Sequence, residues 1–557
     1  MKNKSNSLLL NLKLFLTLLL ALLGSGMYAQ APDWAWAKSA GGNNTNVEQR
    51  IATDANGNVL VTGVFNSPTI TFGTVTLTTG SFFIVKYDAS GNVLWAKSAG
   101  EQSQCYSRSI ATDANGNVLV IGHFTSPTIT FGTTTLINTN AFSDIFIVKY
   151  DANGNVLWAK SASGKTQDTG IGITTDANGN ILVTGGFTSS TITFGITTLS
   201  NADTSLGGAD IFIVKYDTNG NVLWAKSAGG NYSEFGTSVA TDANGNVLVT
   251  GFFSSDTITF GIDTLTNAGA NDIFVVKYNA SGNMLWAKSA GGIEAENSGT
   301  IATDINANVL LTGSFFSQTI TFGTITLTNV GGFDIFIVKY DASGNVLWAK
   351  SAGGIFQDYG VGIASNVDGD VLLTGSFANP AITFGTTTLT NAGNNYDYDI
   401  FIVKYDASGN ELWAKSAGGI GNDYSYGIAT DANGNVLVTG EFKNPTITFG
   451  ATTLTNNGVA DLYVAKLSSI TGIAELNNNA QGLHIYPNPT KNMFTLEVST
   501  ELKNASIEMY NAFGQKVYAS KLVGRKQLVN CTSFASGVYE VKVFDEAGLY
   551  SNKLIIE

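Results

Sequence analysis

Apolar positions along this chain fall into short runs that recur about every 60 residues. In two runs of each unit they are consecutive, as in Val59-Leu60-Val61 and Ile145-Phe146-Ile147-Val148. Strict alternation would describe a strand with one wet face, whereas consecutive apolar residues describe a strand covered on both. Four strands per unit follow from the pattern. The first ends in IATD (residues 51–54), the second is NVLVTG (58–63), the third DIFIVKY (144–150 in the second unit) and the fourth NVLWAKS (155–161). Asp-Ala-Asn-Gly joins the first pair and Asp-Ala-Ser-Gly the second. Asp accepts backbone hydrogen bonds at the start of each turn and Gly takes its left-handed position.

Tryptophans keep the register of seven units, at Trp36, Trp95, Trp158, Trp224, Trp286, Trp348 and Trp413. A period of this length marks a repeat architecture. From each Trp to the Ile or Val of the first strand is 15 residues in all seven copies, and to the Gly of TG it is 27. Length varies only between the FG pair and the third strand, from nine residues (Phe72 to Ser81) to 16 (Phe194 to Asp210), which predicts a surface loop. Small residues such as Gly170 and Gly172 enter the first strand, which places that strand innermost, around a crowded axis. Sheets packed face to face around an axis are propeller blades. The expected fold is therefore all-β: a seven-bladed β-propeller of four-stranded blades over residues 31–467. The seventh unit lacks its own fourth strand, and the spare WAWAKSA at residues 34–40 is expected to complete it, removing an open edge.

Composition changes after Leu467. A polar linker (468–483) leads to residues 484–557, where short strands and Gly turns predict a small Ig-like β-sandwich. At the other end, Lys2, Lys4 and an apolar run predict a signal peptide over residues 1–29. The run is short for a membrane span, and the mature chain is expected to contain no transmembrane segment. Two cysteines, Cys105 and Cys531, fall in different expected domains, so the fold is expected to hold by packing.

The formal net charge is −13. Outside the signal and residues 484–557 it is −17, from 18 basic and 35 acidic residues. That excludes nucleic acid as a partner and favours neutral or cationic ligands. The chain has two histidines. His484 lies in the C-terminal segment and His123 is alone in the repeats, which excludes a Ser-His-Asp triad and a His-based metal site. The turn carboxylates are too sparse for a Ca²⁺ loop; turn chemistry explains them, with Ca²⁺ the one metal they leave open. No other cofactor is expected.

Ten residues after the Trp stand Asp168, Glu234, Glu296, Asp358 and Asp423 in five units, with Asn46 and Cys105 in the others. One residue later come Phe235, Tyr359 and Tyr424 in three of them. These residues and His123 are the candidate ligand-binding set, expected on one acidic, aromatic-dotted face opposite a regular Asn/Gly face. Paired carboxylates there could serve glycoside hydrolysis. Near-identical units instead favour a binding or adhesion scaffold, whose extracellular ligand would be a glycan or a protein.

The units resemble the bacterial SBBP-type β-propeller repeat in their D-x-x-G-N turns and Trp-bearing strand. Residues 484–557 resemble the C-terminal sorting domain of type IX secretion substrates from the Bacteroidetes. The matching pieces are Tyr486-Pro487-Asn488-Pro489, the segment 510–517 with Gly514, then Gly537 and Tyr539, and finally Lys553 in the terminal strand. The resemblance implies passage through the periplasm, contact with the type IX machinery, and release from or attachment to the outer-membrane surface.

Overall fold

The computed structural model describes residues 31–468 and 483–556, apart from residues 45, 79, 101–103, 204–206, 394–395, 500–501, 503–504, 512–515 and 545–548. The expected signal peptide, residues 469–482 of the expected linker and Gly514 lie outside the described residues. Contacts divide the chain into two compact units, Met1–Ile470 and Thr471–Glu557. The described elements are β-strands and no helix among them is long and apolar enough to cross a membrane.

Unit 1 is built from four-stranded antiparallel sheets, seven of them among the described residues. The first has strands a (Asn46–Thr53), b (Val59–Phe65), c (Phe82–Tyr87) and d (Val93–Ala99), in spatial order a-b-c-d, and the same letters serve the other sheets. Strands b and c are buried at every position in this sheet, as consecutive apolar residues require. Strands a pack against one another in chain order, and the first also touches the last, Asp423–Thr430. In the last sheet the d position is filled by Trp34–Ala40, which pairs antiparallel with Asp461–Leu467.

A two-stranded hairpin also stands between strands b and c, for example Thr128–Phe131 with Thr134–Ile137. The four strands read from the apolar pattern do not include it. Its Ile129 and Phe131 are buried while Thr128 and Thr130 face water, and the hydroxyls of Thr130 and Thr135 meet at 2.9 Å. The hairpin thus caps the sheet edge with two apolar side chains.

Hydroxyls ring the axis. Thr112 donates to the carbonyl of Thr53, Thr175 to Thr112, Thr241 to Thr175 and Thr303 to Thr241. Thr430 donates to Ser365, and Thr53 to Thr430 at 2.8 Å, joining first and last sheets. The one departure is Ser365, whose hydroxyl turns to Asn366.

The lysine of each VKY or AKL run is buried, except Lys404 of the sixth unit, which is partly exposed. Lys277 Nζ lies 3.0 Å from Asp242 Oδ2, both side chains almost wholly enclosed. It also donates to the carbonyl of Ala342 in the next sheet, which accepts the Trp286 indole N–H as well. The same latch recurs with Lys86, Asp54 and Trp95 on Ala152, and with Lys466, Asp431 and Trp36 on Ala89. The glycine two residues on is held at positive φ, and a Cβ on Gly91 would come within 2.9 Å of the Trp36 ring. In the sixth unit the turn reads Asn366 to Asp370 instead of Asp to Asn, and Lys404 follows the carboxylate to Asp370 at 2.7 Å. Burial pushes the Asp242 carboxyl up, but Asn246 and Lys277 outweigh it and hold it below its ordinary value. Lys277→Met should therefore cost about 3–5 kcal/mol, because it strands a buried carboxylate. Lys277→Met with Asp242→Asn should recover part of the loss. Denaturant midpoints of the two variants check this, and equal midpoints for Lys277→Met and the native chain would refute it.

Unit 2 has a three-stranded sheet (Leu483–Tyr486, Met493–Val498, Lys526–Asn530) and a four-stranded one (Lys516–Lys521, Ser506–Asn511, Gly537–Phe544, Leu549–Ile556). Phe494, Leu496, Ile507, Met509, Val541 and Leu554 form a core that both sheets share.

Candidate functional site

The seven units are nearly identical, so the positions at which they differ stand out. Two lie directly opposite each other, the second residue of strand a and the penultimate residue of strand b. The pairs are Val47 with Val64, Tyr106 with His123, Thr169 with Gly186, Phe235 with Phe252, Asn297 with Ser314, Tyr359 with Ser376 and Tyr424 with Glu441. A third variable position follows two residues later on strand a, where Arg108, Ile171, Thr237, Gly299, Val361 and Tyr426 stand. The last five of these line an axial cavity of about 460 Å³. Antiparallel order brings the loops from d to a and from b to c to this same end of every sheet.

Those loops expose large apolar side chains, including Ile293, Ile355 and Ile420 from the first kind and Phe142, Val330 and Tyr396 from the second. The opposite end carries the tight turns, where Ile305 and Val367 are exposed and the leucines that follow the c–d turns, such as Leu94 and Leu223, are about half exposed. Contiguous exposed apolar surface on one end of a protein marks an interaction face.

The acidic ring is not on that surface, which corrects the expectation of a solvated acidic face. Asp168, Glu234, Glu296, Asp358 and Asp423 are each fully buried at the first residue of strand a. The glycine four residues before each, part of a Gly-Gly pair in all but the Asp168 unit, explains it. Gly230 donates its amide to Glu234 Oε2 at 3.1 Å, and a Cβ on Gly229 would overlap Asp210 at 1.8 Å. Each ring carboxylate is then held by a residue 21 positions on: Ser189 for Asp168, the Ser255 amide for Glu234, the Ser317 amide for Glu296, Asn379 for Asp358 and Asn444 for Asp423. A second buried carboxylate, the Asp that opens strand c of the previous unit, stands near each. Burial first, and then Asp168, push Asp144 up to about 7. Burial and then Asp399 push Asp423 up to about 8. Between the first and second units the corresponding residues are uncharged, and Ser81 Oγ donates to the Cys105 carbonyl at 2.6 Å. These pairs sit between sheets, closed to a substrate, so a two-carboxylate hydrolysis has no accessible acid among them.

The aromatic neighbours of the ring do reach the face. Phe235, Tyr359 and Tyr424 are half-buried, and Phe235 rests on Phe252 at 5.6 Å between centroids. His123 is buried and stacks on Tyr106 at 5.2 Å. Burial, then Arg108, pull its pKa down to about 3, so the imidazole is neutral. Sequence reasoning missed Tyr398, Phe333 and Tyr426, which join Tyr359 and Tyr424 in one run of rings. Tyr398 and Phe333 lie in the variable loop, one residue before the Asp of strand c, and that regular spacing is the signal that could have found them. The turn carboxylates that resembled Ca²⁺ loops are occupied by Asn amides, backbone amides and the buried lysines. Among the described residues no group of three or more His, Cys, Asp or Glu is placed to hold a metal.

In unit 2, Tyr486, Pro487, Asn488 and Pro489 are exposed, and the Tyr486 hydroxyl donates to Glu497 at 2.7 Å. Asn488 donates to the Lys553 carbonyl at 2.6 Å and accepts from the Ile555 amide at 2.8 Å. The motif thereby ties the end of the first strand to the last strand. Gly537 opens its strand, the Tyr539 hydroxyl is held by the Ala535 carbonyl, and Lys553 is exposed.

Comparison with known proteins agrees with this division. Residues 484–557 match the secretion system C-terminal sorting domain, and residues 412–441 match the β-propeller repeat of the SBBP type. The chain is 28% identical over 530 residues to an uncharacterized WD repeat-containing protein, L264, of Acanthamoeba polyphaga mimivirus, covering 77% of this chain and 38% of that one. It is 31% identical over 114 residues to the regulatory protein FlaEY of Caulobacter vibrioides, covering 20% and 12%. The chain thus spans well under half the length of either relative. Among solved structures it is similar to a gluconolactonase of Xanthomonas campestris (TM-score 0.32, 10% identity, 78% of this chain and 98% of that one). It is also similar to PorZ, a surface component of the type IX secretion system of Porphyromonas gingivalis (TM-score 0.17, 11% identity, 94% and 100%). At such scores neither neighbour bears on what this chain does. The chain is an all-β repeat protein with propeller-type blades and a type IX sorting domain, which directs its carrier out of the cell or to the cell surface.

Proposed function

We propose that the chain is a binding and adhesion scaffold, displayed or released by type IX secretion, in which a closed seven-bladed propeller presents the loop end of its blades to an extracellular ligand. In this reading the C-terminal unit is an Ig-like sandwich that engages the export machinery, preceded by a linker and removed from a propeller spanning residues 31–467. The observation that carries the reading is where the units differ. Seven near-copies keep their cores, six of them keep the full latch, and they vary at the axial mouth that also exposes apolar side chains. A scaffold that needed only to fold would have no reason to confine its differences there. The competing reading, a carbohydrate-active enzyme, loses its candidate acids to the interior.

Two experiments test this. Attachment of producing cells to a glycan and matrix-protein array should fall when Ile293, Ile355 and Ile420 are changed to Asp, and should persist when Ile305 and Val367 are. Equal attachment by both variants would remove the binding face. Deleting residues 484–557 should leave a folded repeat unit in the periplasm, seen by cell fractionation. Normal surface amounts of the truncated chain would refute the export assignment.

A further inference from the structure

One part of the loop end differs from the rest. Six rings run across the last three units without a break: Phe316, Phe333, Tyr359, Tyr398, Tyr424 and Tyr426. Successive centroids are 5.2, 5.7, 6.1, 5.1 and 6.3 Å apart. Each ring is at least partly exposed, and Phe316 is 43% exposed. Two of the rings are fixed at their polar edges. Tyr359 and Tyr398 both donate their hydroxyls to Gln357 Oε1, the second at 3.3 Å. Gln357 is itself exposed, so its amide stands beside the rings at the surface. The run ends at Lys443, whose ammonium lies 5.1 Å from the Tyr424 ring centre and 3.3 Å from Glu441.

We infer that this aromatic track is a binding site for a neutral, linear oligosaccharide, an assignment that rests on the binding reading above. The chemistry of both partners matches. An aromatic face is electron-rich and receives the weakly positive C–H bonds on the flat side of a pyranose. The hydroxyls of the same sugar lie around its edge, level with the tyrosine hydroxyls, the Gln357 amide and Lys443. A row of rings repeats that contact, which suits a polymer of ring-shaped units. Rings already held by hydrogen bonds lose little freedom on binding. Lys443 and Glu441 at the end of the track pair with each other, so that pair calls for no charged ligand. A nucleic acid would meet the strongly negative repeats, and a basic peptide would have to displace Lys443 from Tyr424.

The test titrates the purified full chain calorimetrically with cellohexaose, xylohexaose, laminarihexaose and chitohexaose, with poly-lysine as the charged comparison. At least one hexaose should bind, with an affinity that 0.5 M salt leaves within about twofold, since no charge pair forms. Tyr398→Ala and Tyr424→Ala should each weaken it by about tenfold or more, as central aromatic anchors do. Ile305→Ala, exposed on the opposite end, should leave it unchanged. Thermal melts show that the variants fold. Binding of poly-lysine alone, or native affinity in both tyrosine variants, would overturn the assignment. So would no hexaose binding; if the Ile293, Ile355 and Ile420 variant still loses attachment in that case, the ligand class fails and the binding reading stands.

Discussion

Removal of residues 31–40 is expected to lower the melting temperature of the repeat unit by on the order of 10 °C, far beyond the share of ten residues in so long a chain. Trp34–Ala40 is the outer strand of the last sheet and pairs along Asp461–Leu467. It also grips both neighbours. Trp34 packs edge-on against Phe449 at 4.7 Å, and its ring receives Lys415, which donates to the Pro32 carbonyl at 2.7 Å. Trp36 donates to the Ala89 carbonyl in the first sheet. Losing two partly buried tryptophans and a strand ladder costs at least about 5 kcal/mol by comparison with single core truncations. The deletion also bares the edge of Asp461–Leu467, so aggregation on heating should rise. Calorimetry of the native and shortened chains decides it. An unchanged transition would mean that the ring does not depend on this strand.

The second large effect concerns pH. Five carboxylate pairs lie buried between sheets, and burial, reinforced in most pairs by the neighbouring carboxylate, raises their pKa values. Asp168, Asp210, Asp272, Asp334 and Asp399 are pushed up to about 6, Glu234, Glu296 and Asp358 to about 7. A folded-state pKa above the unfolded one means that the folded chain binds more protons. These pairs therefore contribute most stability below about pH 4 and lose it as pH rises through about 6 to 8. The turn aspartates, such as Asp54 and Asp304, have the opposite sign. Their burial is outweighed by asparagine and lysine partners, so their contribution is lost as the medium turns acid. The melting temperature should peak in acid solution, at about pH 4, and fall as the pH rises from there toward 7 or 8. Replacing Asp168, Glu234, Glu296, Asp358 and Asp423 by Asn or Gln should flatten the alkaline side. A native melting temperature that stays level from pH 5 to 8 would show that the pairs carry no proton.

Much of the fold was legible because the repeat tests each assignment several times. Consecutive apolar residues in b and c appear in unit after unit, and only burial on both faces explains them. The unpaired WAWAKSA was legible because one d strand was missing. The latch was not, because a lysine inside DIFIVKY reads as a polar interruption until its partner is known. That partner is about 30 residues earlier, and the exchange of Asn366 and Asp370 in the sixth unit marks the pairing only after Lys404 is seen to follow the charge. The hairpin was missed because its buried Ile and Phe alternate with threonines over four residues, too short a stretch for the period to tell a strand from a loop. For the candidate site, spacing located the carboxylate ring correctly along the chain but not in depth. Charge alone suggested water, whereas a glycine four or five residues before each carboxylate, doubled in four of the five, and Ser or Asn after it build an enclosed seat. The ring of threonine hydroxyls and the aromatic track depend on neighbours about 60 residues apart or on loop geometry, which a linear pattern does not show.

The borrowed outer strand has a consequence for how the chain is finished. Every other third strand carries its own partner on a short turn, at an effective concentration no distant segment can match. The WAKSA stretch near residue 36 is almost the same sequence, yet it is outcompeted at each of those places. Its one vacancy opens only when Asp461–Leu467 exists, and the contact between Lys415 and Pro32 spans 383 residues. Closing a loop of that length is slow compared with forming a hairpin. The first strand to be made is therefore the last to find its seat, and it counts the units by elimination. Until the final one arrives the edge of Asp461–Leu467 has no outer strand to cover it.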